Sequence, residues 1–347
     1  MGNPGKFTWI SFRSASLILD VAGPSSAVDA SSLSVKATLR NIGDETLKAL
    51  LNDLRTVLSK AKTNTFIIFS ESGTPRFTGI KAKYVPSMAA ALNKGKIVRD
   101  LAGVYNFTLT GEGAYNFEAG NLFNYIDASG ALKTVEASTN THRFKIAGKL
   151  AAGNSYTPNL SKRAVSFTGC SSTQQSQISA AATASNTYVS KVNSYLAGIS
   201  SGTTRYTTWF GAFTTSRYNT VVSHYKNIGT NATATNYDCT ACKSEPGIDY
   251  DSTFAYVNPP SPGKIYLCGA FWSAPNTGTD SRAGTIVHEN SHFTVNGGTD
   301  DHVYGQSSAK SLAKSNPAQA LITRTTMSIS LRITLHSLEF NMIRDYV

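Results

Sequence analysis

Apolar residues in the first half of the chain recur with a period of two. Runs at Leu33–Leu39, Thr65–Phe69, Phe77–Val85, Asn106–Leu109, Tyr115–Glu118 and Arg143–Ala147 alternate or are rich in β-branched and aromatic residues. Turn clusters such as Asn41-Ile42-Gly43-Asp44 and Glu71-Ser72-Gly73-Thr74-Pro75 separate them. Successive side chains of a pleated strand point to opposite faces, so the pattern predicts short strands, and their spacing predicts a small β-sandwich over residues 31–150. Residues 1–30 read as an irregular N-terminus.

The pattern changes past residue 163. Ser171-Ser172-Thr173-Gln174 is a capping sequence that opens an Ala-rich helix through Leu196, and a second helix is expected over Ser216–Lys226. Phe254–Val257 reads as a strand beside Lys264–Leu267, the latter as a sheet edge on which an extended peptide can pair. Helices are predicted over Ser281–Thr294, capped by Asp280 or Thr279, and over Tyr304–Lys314. Trp209, Phe210, Phe271 and Trp272 read as core.

At 347 residues and 41% apolar content the chain can bury two modest cores. The formal charge of +11 sits mostly in residues 1–163, where 20 basic and 11 acidic side chains leave +9. Those lysines are scattered without aromatic interleaving, which predicts a solvated basic surface and no nucleic-acid partner. No stretch reaches membrane-spanning length, so no membrane association is expected. Cys170, Cys239, Cys242 and Cys268 all lie in the second half. An even count in one region predicts two disulfides and an oxidising compartment; Cys239-x-x-Cys242 alone would also suit a metal or redox pair. The opening MGNPGKFTWISFRSASLILDV shows no recognisable signal peptide, which sets it against the disulfide pattern and points to a start other than the natural one. Lys162-Arg163 is a dibasic pair in a polar stretch, suited to a processing protease that would release a chain from Ala164. Asn106, Asn159 and Asn231 head glycosylation sequons.

Chemistry concentrates in TIVHENSHFTVNGGTDDHVYG, Thr285–Gly305. His288, Glu289 and His292 form H-E-x-x-H. On a helix, residues i and i+4 share a face, so both imidazoles can reach one metal ion with Glu289 beside it. A catalytic zinc needs a third protein ligand. A His six residues past His292 would serve, but Gly298 stands there, and no acid lies between Asp301 and Glu339. Gly297-Gly298 instead allows a tight reversal that returns an Asp of the Asp300-Asp301 pair over the imidazoles. Tyr304 follows with a phenol able to stabilise an oxyanion.

HENSHFTVNGGTDDHVYG resembles the H-E-x-x-H plus G-T-x-D-x-x-Y-G block of the fungal peptidyl-Lys metalloendopeptidases, of the deuterolysin or aspzincin group. The likeness takes in RYTTWFGAF, TFAYV and IYLCGAFWSAPNTGTDS, and covers roughly residues 169–320. It implies an α+β zincin-like metalloprotease domain over 164–320, preceded by an all-β, sandwich-like propeptide over 31–163, which also resembles the family's propeptide in GDETLKALLND and KYVPSMAA. It further implies His288, His292 and Asp301 as ligands of one Zn²⁺, Glu289 as general base and Tyr304 as oxyanion donor. Asp300 and His302 become bystanders. The disulfides implied are Cys170–Cys239 and Cys242–Cys268, although the family usually has one residue fewer between the middle pair. The expected protein is a secreted, monomeric zymogen acting on peptide substrates and cutting before lysine, with its propeptide as intramolecular inhibitor. The competing readings are a non-catalytic secreted binding protein, or a deuterolysin-like protease of broader specificity.

The likeness stops after Ala320, leaving residues 321–347 as an aberrant tail. The family continues with a segment like NADNHEYF, whose Asp and Glu line the pocket for the substrate lysine. Here the chain reads LITRTTMSISLRITLHSLEFNMIRDYV. Codons exist for Thr323–Leu335 that, behind one added A, reread as NADNHEYFAEDNP, and the single Met codon fixes the His without choice. The two acids would fall at the positions of Thr325 and Ser328. The last 25 residues are thus expected to be a frameshift. Sequencing the genomic bases after the Ile322 codon checks this: codons compatible with the rereading are expected, and incompatible ones refute it.

Overall fold

The computed structural model describes residues 16–30, 32–43, 46–49, 56–84, 91–92, 96–101, 104–127, 129–150, 164–303 and 306–323. The dibasic pair Lys162-Arg163 and the sequon residue Asn159 lie outside them. The first half is strand throughout its described elements: β1 (Leu17–Ala22), β2 (Ser26–Asp29), β3 (Val35–Asn41), β4 (Leu47–Ala49), β5 (Phe66–Phe69), β6 (Arg76–Phe77), β7 (Lys81–Tyr84) and β8 (Ala91–Leu92). These are followed by β9 (Lys96–Leu101), β10 (Tyr105–Asn106), β11 (Gly113–Ala119), β12 (Leu122–Ile126), β13 (Leu132–Glu136), β14 (Ser138–Thr139) and β15 (His142–Lys149).

They form three four-stranded sheets, ordered β14-β1-β3-β9, β2-β15-β11-β5 and β13-β12-β4-β8, and the pair β10-β6. Alternation drives this: Leu17, Leu19 and Val21 of β1 and Val35, Ala37 and Leu39 of β3 point inward. They meet Phe117, Phe123 and Phe144 in one shared core. Edge-to-face pairs such as Phe117–Phe144 at 4.6 Å fix the rings within it. The stretch read as irregular therefore holds two strands. Its alternation is blurred because outward-facing Ile18 is itself apolar.

The run predicted as one strand over Phe77–Val85 divides, and its second part leaves the first-half sheets. At Gly79 a Cβ would stand 2.3 Å from the Lys62 carbonyl oxygen, so only glycine lets the chain pass. Beyond it, β7 joins a sheet of the second half.

That second half contains β16 (Ser166–Thr168), α1 (Ser172–Ala197), α2 (Thr204–Phe210), α3 (Thr215–Ile228), β17 (Asn236–Asp238), β18 (Thr253–Val257) and β19 (Lys264–Leu267). Then come α4 (Gly269–Ser273), α5 (Arg282–His292), α6 (Gln306–Ser315) and α7 (Pro317–Leu321). The sheet runs β16-β17-β19-β18-β7. Its first three strands are parallel, β18 is antiparallel to β19, and β7 is antiparallel to β18. β19, read from sequence as the edge, is interior. The second half's own outermost strands are β16 and, on the side that β7 covers, β18, whose five residues are all buried; such a continuous run carries no local mark of an edge.

Helix α1 begins as its sequence dictates, with Ser171 Oγ accepting from Gln174 N and Gln174 Oε1 accepting from Ser171 N. Helix α2 carries Tyr206, Trp209 and Phe210 into the helical core. Among the described residues no helix is long and apolar enough to cross a membrane. Disulfides Cys170–Cys239 and Cys242–Cys268 tie the start of α1 to β17 and the loop after β17 to β19. The loops they close span 69 and 26 positions. Loop-closure entropy assigns such bridges roughly 3.5–4.5 kcal/mol each.

Asp238 organises the corner between them. Its carboxylate is buried, accepts from Thr240 N, Ala241 N and Thr240 Oγ1, and pairs with Lys264 Nζ at 3.0 Å. Burial alone would raise its pKa, but these donors together hold it at about 2, against an ordinary value of 3.8. A depressed folded pKa stabilises above the unfolded value and loses that stability as pH falls through the folded one. We expect wild type to exceed Asp238→Asn by about 2 kcal/mol at pH 5, the gap closing between about pH 4 and pH 2. Thermal unfolding of both proteins across that range checks it.

Candidate metal centre

Helix α5 is buried on every side from Ala283 to His292. Ala283 and Val287 enter the helical core, Ile286 enters the core beneath the sheet, and the remaining face is left to polar groups. Its cap is Ser281, one residue beyond the predicted Asp280 or Thr279. Asp280 turns the chain with φ +48°, which a short polar side chain tolerates, and Ser281 Oγ then accepts from Gly284 N at 3.1 Å.

The helix ends at His292, and a compact turn comes next. Phe293 O accepts from the amides of Asn296, Gly297 and Gly298. Asn296 Nδ2 donates to Asn290 O at 2.7 Å, satisfying a carbonyl of the last helical turn. Gly298 has the expected positive φ, +58°, whereas Gly297 is needed for space: a Cβ there would meet the His224 ring at 3.1 Å. Burial holds His224 below its ordinary pKa.

The turn lays Thr299 against the helix end. Thr299 N donates to Ser291 O, its hydroxyl lies 2.8 Å from Ser291 Oγ, and its carbonyl receives His292 Nδ1 at 2.8 Å. A carbonyl only accepts, so Nδ1 carries the hydrogen and the neutral ring keeps its lone pair on Nε2. That Nε2 is buried without a hydrogen-bond partner among the described residues. The ligand atoms of His288, Glu289 and His292 lie within 4.8 Å of one another. Asp301, its side chain largely buried, brings Oδ2 to 3.9 Å from His288 Nε2. Thus His288, Glu289 and His292 converge, and Asp301 approaches them from the His288 side. Tyr304 and the positions of Thr325 and Ser328 lie outside the described residues.

The two residues set aside as bystanders have surroundings of their own. Asp300 N donates to Ile322 O, and its carboxylate takes Lys81 Nζ at 2.6 Å. His302, expected in an exposed loop, is half-buried and borders, with Asp300 and Asp301, a cavity of about 820 Å³ between the two halves. Asn231, a sequon residue, spends its amide on Asn227 O and Asn296 Oδ1.

Residues that sequence reasoning missed come from both sides of the site. Thr299 and Ser291 brace the imidazole from behind. From the first half, Lys81 Nζ donates to Gly298 O and Thr299 O, and Lys83 N donates to Glu289 Oε1 at 3.1 Å. The one local signal was two lysines inside an apolar β run, KAKY.

Two imidazoles one helical turn apart, a buried carboxylate between them and a sheet edge running past define a metal-dependent peptidase. Comparison with known proteins makes this specific. Residues 195–323 match the aspzincin family model, described as lysine-specific metallo-endopeptidase. The chain is 47% identical to the peptidyl-Lys metalloendopeptidase of Grifola frondosa, over 88% of this chain and 89% of that one. It is 43% identical to that of Armillaria mellea, over 88% of each. A solved zinc peptidase from Grifola frondosa aligns with 47% of this chain and 96% of its own, at 48% identity and TM-score 0.44. The chain belongs to the aspzincin family of metalloendopeptidases, enzymes acting on peptide substrates.

Because Thr299 is fully buried and its hydroxyl is paired with Ser291 Oγ, Thr299→Val should cost about 1 kcal/mol by removing that bond and leaving Ser291 Oγ only its donation to His288 O. Denaturant unfolding measures this, and an unchanged midpoint would refute it.

Proposed function

We propose that this chain is the precursor of a secreted zinc endopeptidase that, with its C-terminal segment in the intact reading frame, cuts on the N-terminal side of lysine. One observation carries the metal assignment: His292 has Nδ1 committed to Thr299 O while its buried Nε2 has no partner among the described residues, as a waiting ligand requires. His288, His292 and Asp301 would hold one zinc ion, a donor set of two neutral imidazoles and a carboxylate that suits it. When bound, zinc supplies Lewis-acid polarisation of the scissile carbonyl and acidifies water. Glu289, fully buried beside the ligands, takes the proton of the attacking water and passes it to the leaving amine. Tyr304 donates its phenol hydrogen to the oxyanion, a role that rests on the G-T-x-D-x-x-Y-G resemblance.

With the first half removed, the side of β18 that β7 now covers would orient the peptide by backbone pairing. Two acids at the positions of Thr325 and Ser328, in the alternative reading frame, would select lysine. The family match ends at residue 323, where the proposed change of frame begins. With Thr and Ser there instead, the chain would bind metal and hydrolyse peptides with little preference for lysine. The first half acts as propeptide and inhibitor, removed after Lys162-Arg163, and the mature enzyme is a monomer. The two disulfides support export.

The test is metal content and turnover of protein processed at Arg163. We expect one zinc per chain and cleavage of a lysine-containing peptide. Glu289→Ala should retain the metal and lose about three orders of magnitude in kcat. Protein without zinc, or a Glu289→Ala variant of undiminished rate, would refute the assignment.

A further inference from the structure

The first half reaches into the centre by one strand, and that strand is laid as a substrate would be. β7 pairs antiparallel with β18, with Lys83 opposite Ala255, Ala82 opposite Tyr256 and Lys81 opposite Val257. The backbone nitrogen of Lys83, turned away from that pairing, donates to Glu289 Oε1 at 3.1 Å. In hydrolysis, the nitrogen that Glu289 must reach is the one leaving the scissile bond. The bond on the acyl side of that nitrogen is Ala82–Lys83, and the residue following it is a lysine.

Simple coverage of an edge needs no lysine there. Lys83 is nonetheless only 6% exposed, unusual for an ammonium group. Its Nζ is held by Thr285 Oγ1 at 3.2 Å, Asp280 Oδ1 at 3.5 Å and the face of the Phe254 ring at 4.3 Å. Lys81, two residues earlier, anchors the strand on the other side, through Asp300 and the carbonyls of Gly298 and Thr299.

We propose that β7 occupies the cleft as this chain's own substrate, and that the Ala82–Lys83 bond is hydrolysed there. The inference rests on the peptidase reading above and adds a cleavage site within the first half, separate from Lys162-Arg163. In the reaction, water adds its oxygen to the Ala82 carbonyl carbon and the C–N bond breaks. Glu289 carries the water's proton to the Lys83 nitrogen. The products are a carboxylate at Ala82 and a free amine at Lys83. Until the cut strand departs, β18 stays covered and the centre closed to other peptides.

The experiment uses the full chain, purified in chelator and then given Zn²⁺, followed by intact mass and N-terminal sequencing over a range of protein concentrations. A new N-terminus at Lys83 is expected, appearing with a first-order rate independent of concentration. Lys83→Ala, which removes the Thr285, Asp280 and Phe254 contacts that seat the strand, should slow that cut by about tenfold while raising turnover of an added peptide, and Glu289→Gln should abolish both. Turnover of the added peptide with Ala82–Lys83 left intact would overturn the proposal and leave the peptidase reading standing. So would equal cutting in Lys83→Ala. If neither bond is cut, the proposal and the peptidase reading fail together.

Discussion

The hydrogen bond from His292 Nδ1 to the Thr299 carbonyl holds the centre together. It fixes the ring's tautomer, directs Nε2 inward and pins the chain beyond the Gly297-Gly298 turn against the end of α5. Because Thr299 precedes Asp300 and Asp301, the same bond sets where both carboxylates emerge. Asp301 faces the His288 ring, and Asp300 faces the incoming Lys81. Partners that sit behind the ligands in this way orient them as much as the ligands orient a metal.

Around that bond the fold supplies two boundaries. Helix α5 lies between the helical core and the core beneath the sheet, so its polar face cannot rotate away from the cleft. The sheet supplies the other boundary with β18. On the far side, Asp238 and the two disulfides fasten β17 and β19 to the chain around them. The covalent reinforcement thus sits away from the edge where an extended peptide would lie.

The sequence made some of this readable and hid the rest, for physical reasons. Alternation exposed the strands around Val35–Asn41, Tyr115 and Phe144, and the Ser171–Gln174 box marked the start of α1, since both signals are local. His288, Glu289 and His292 were legible through helical spacing, and the glycine turn pointed to an acid beyond it. The edge identity of β18 was not legible, because strand order is set by contacts between distant segments. The destination of β7 was hidden for the same reason: Lys81 and Lys83 find their partners more than 190 positions away. Thr299 carried no signal, because its role depends on a backbone carbonyl that every residue possesses.

The pairing of β7 with β18 also closes an edge that the second half could not close with its own strands. Strand β18 is apolar and covered above and below, so once stripped of its neighbour it presents a bare row of amides and carbonyls. Such a border recruits any loose extended chain, including another copy of itself. The resident strand closes that border in this chain.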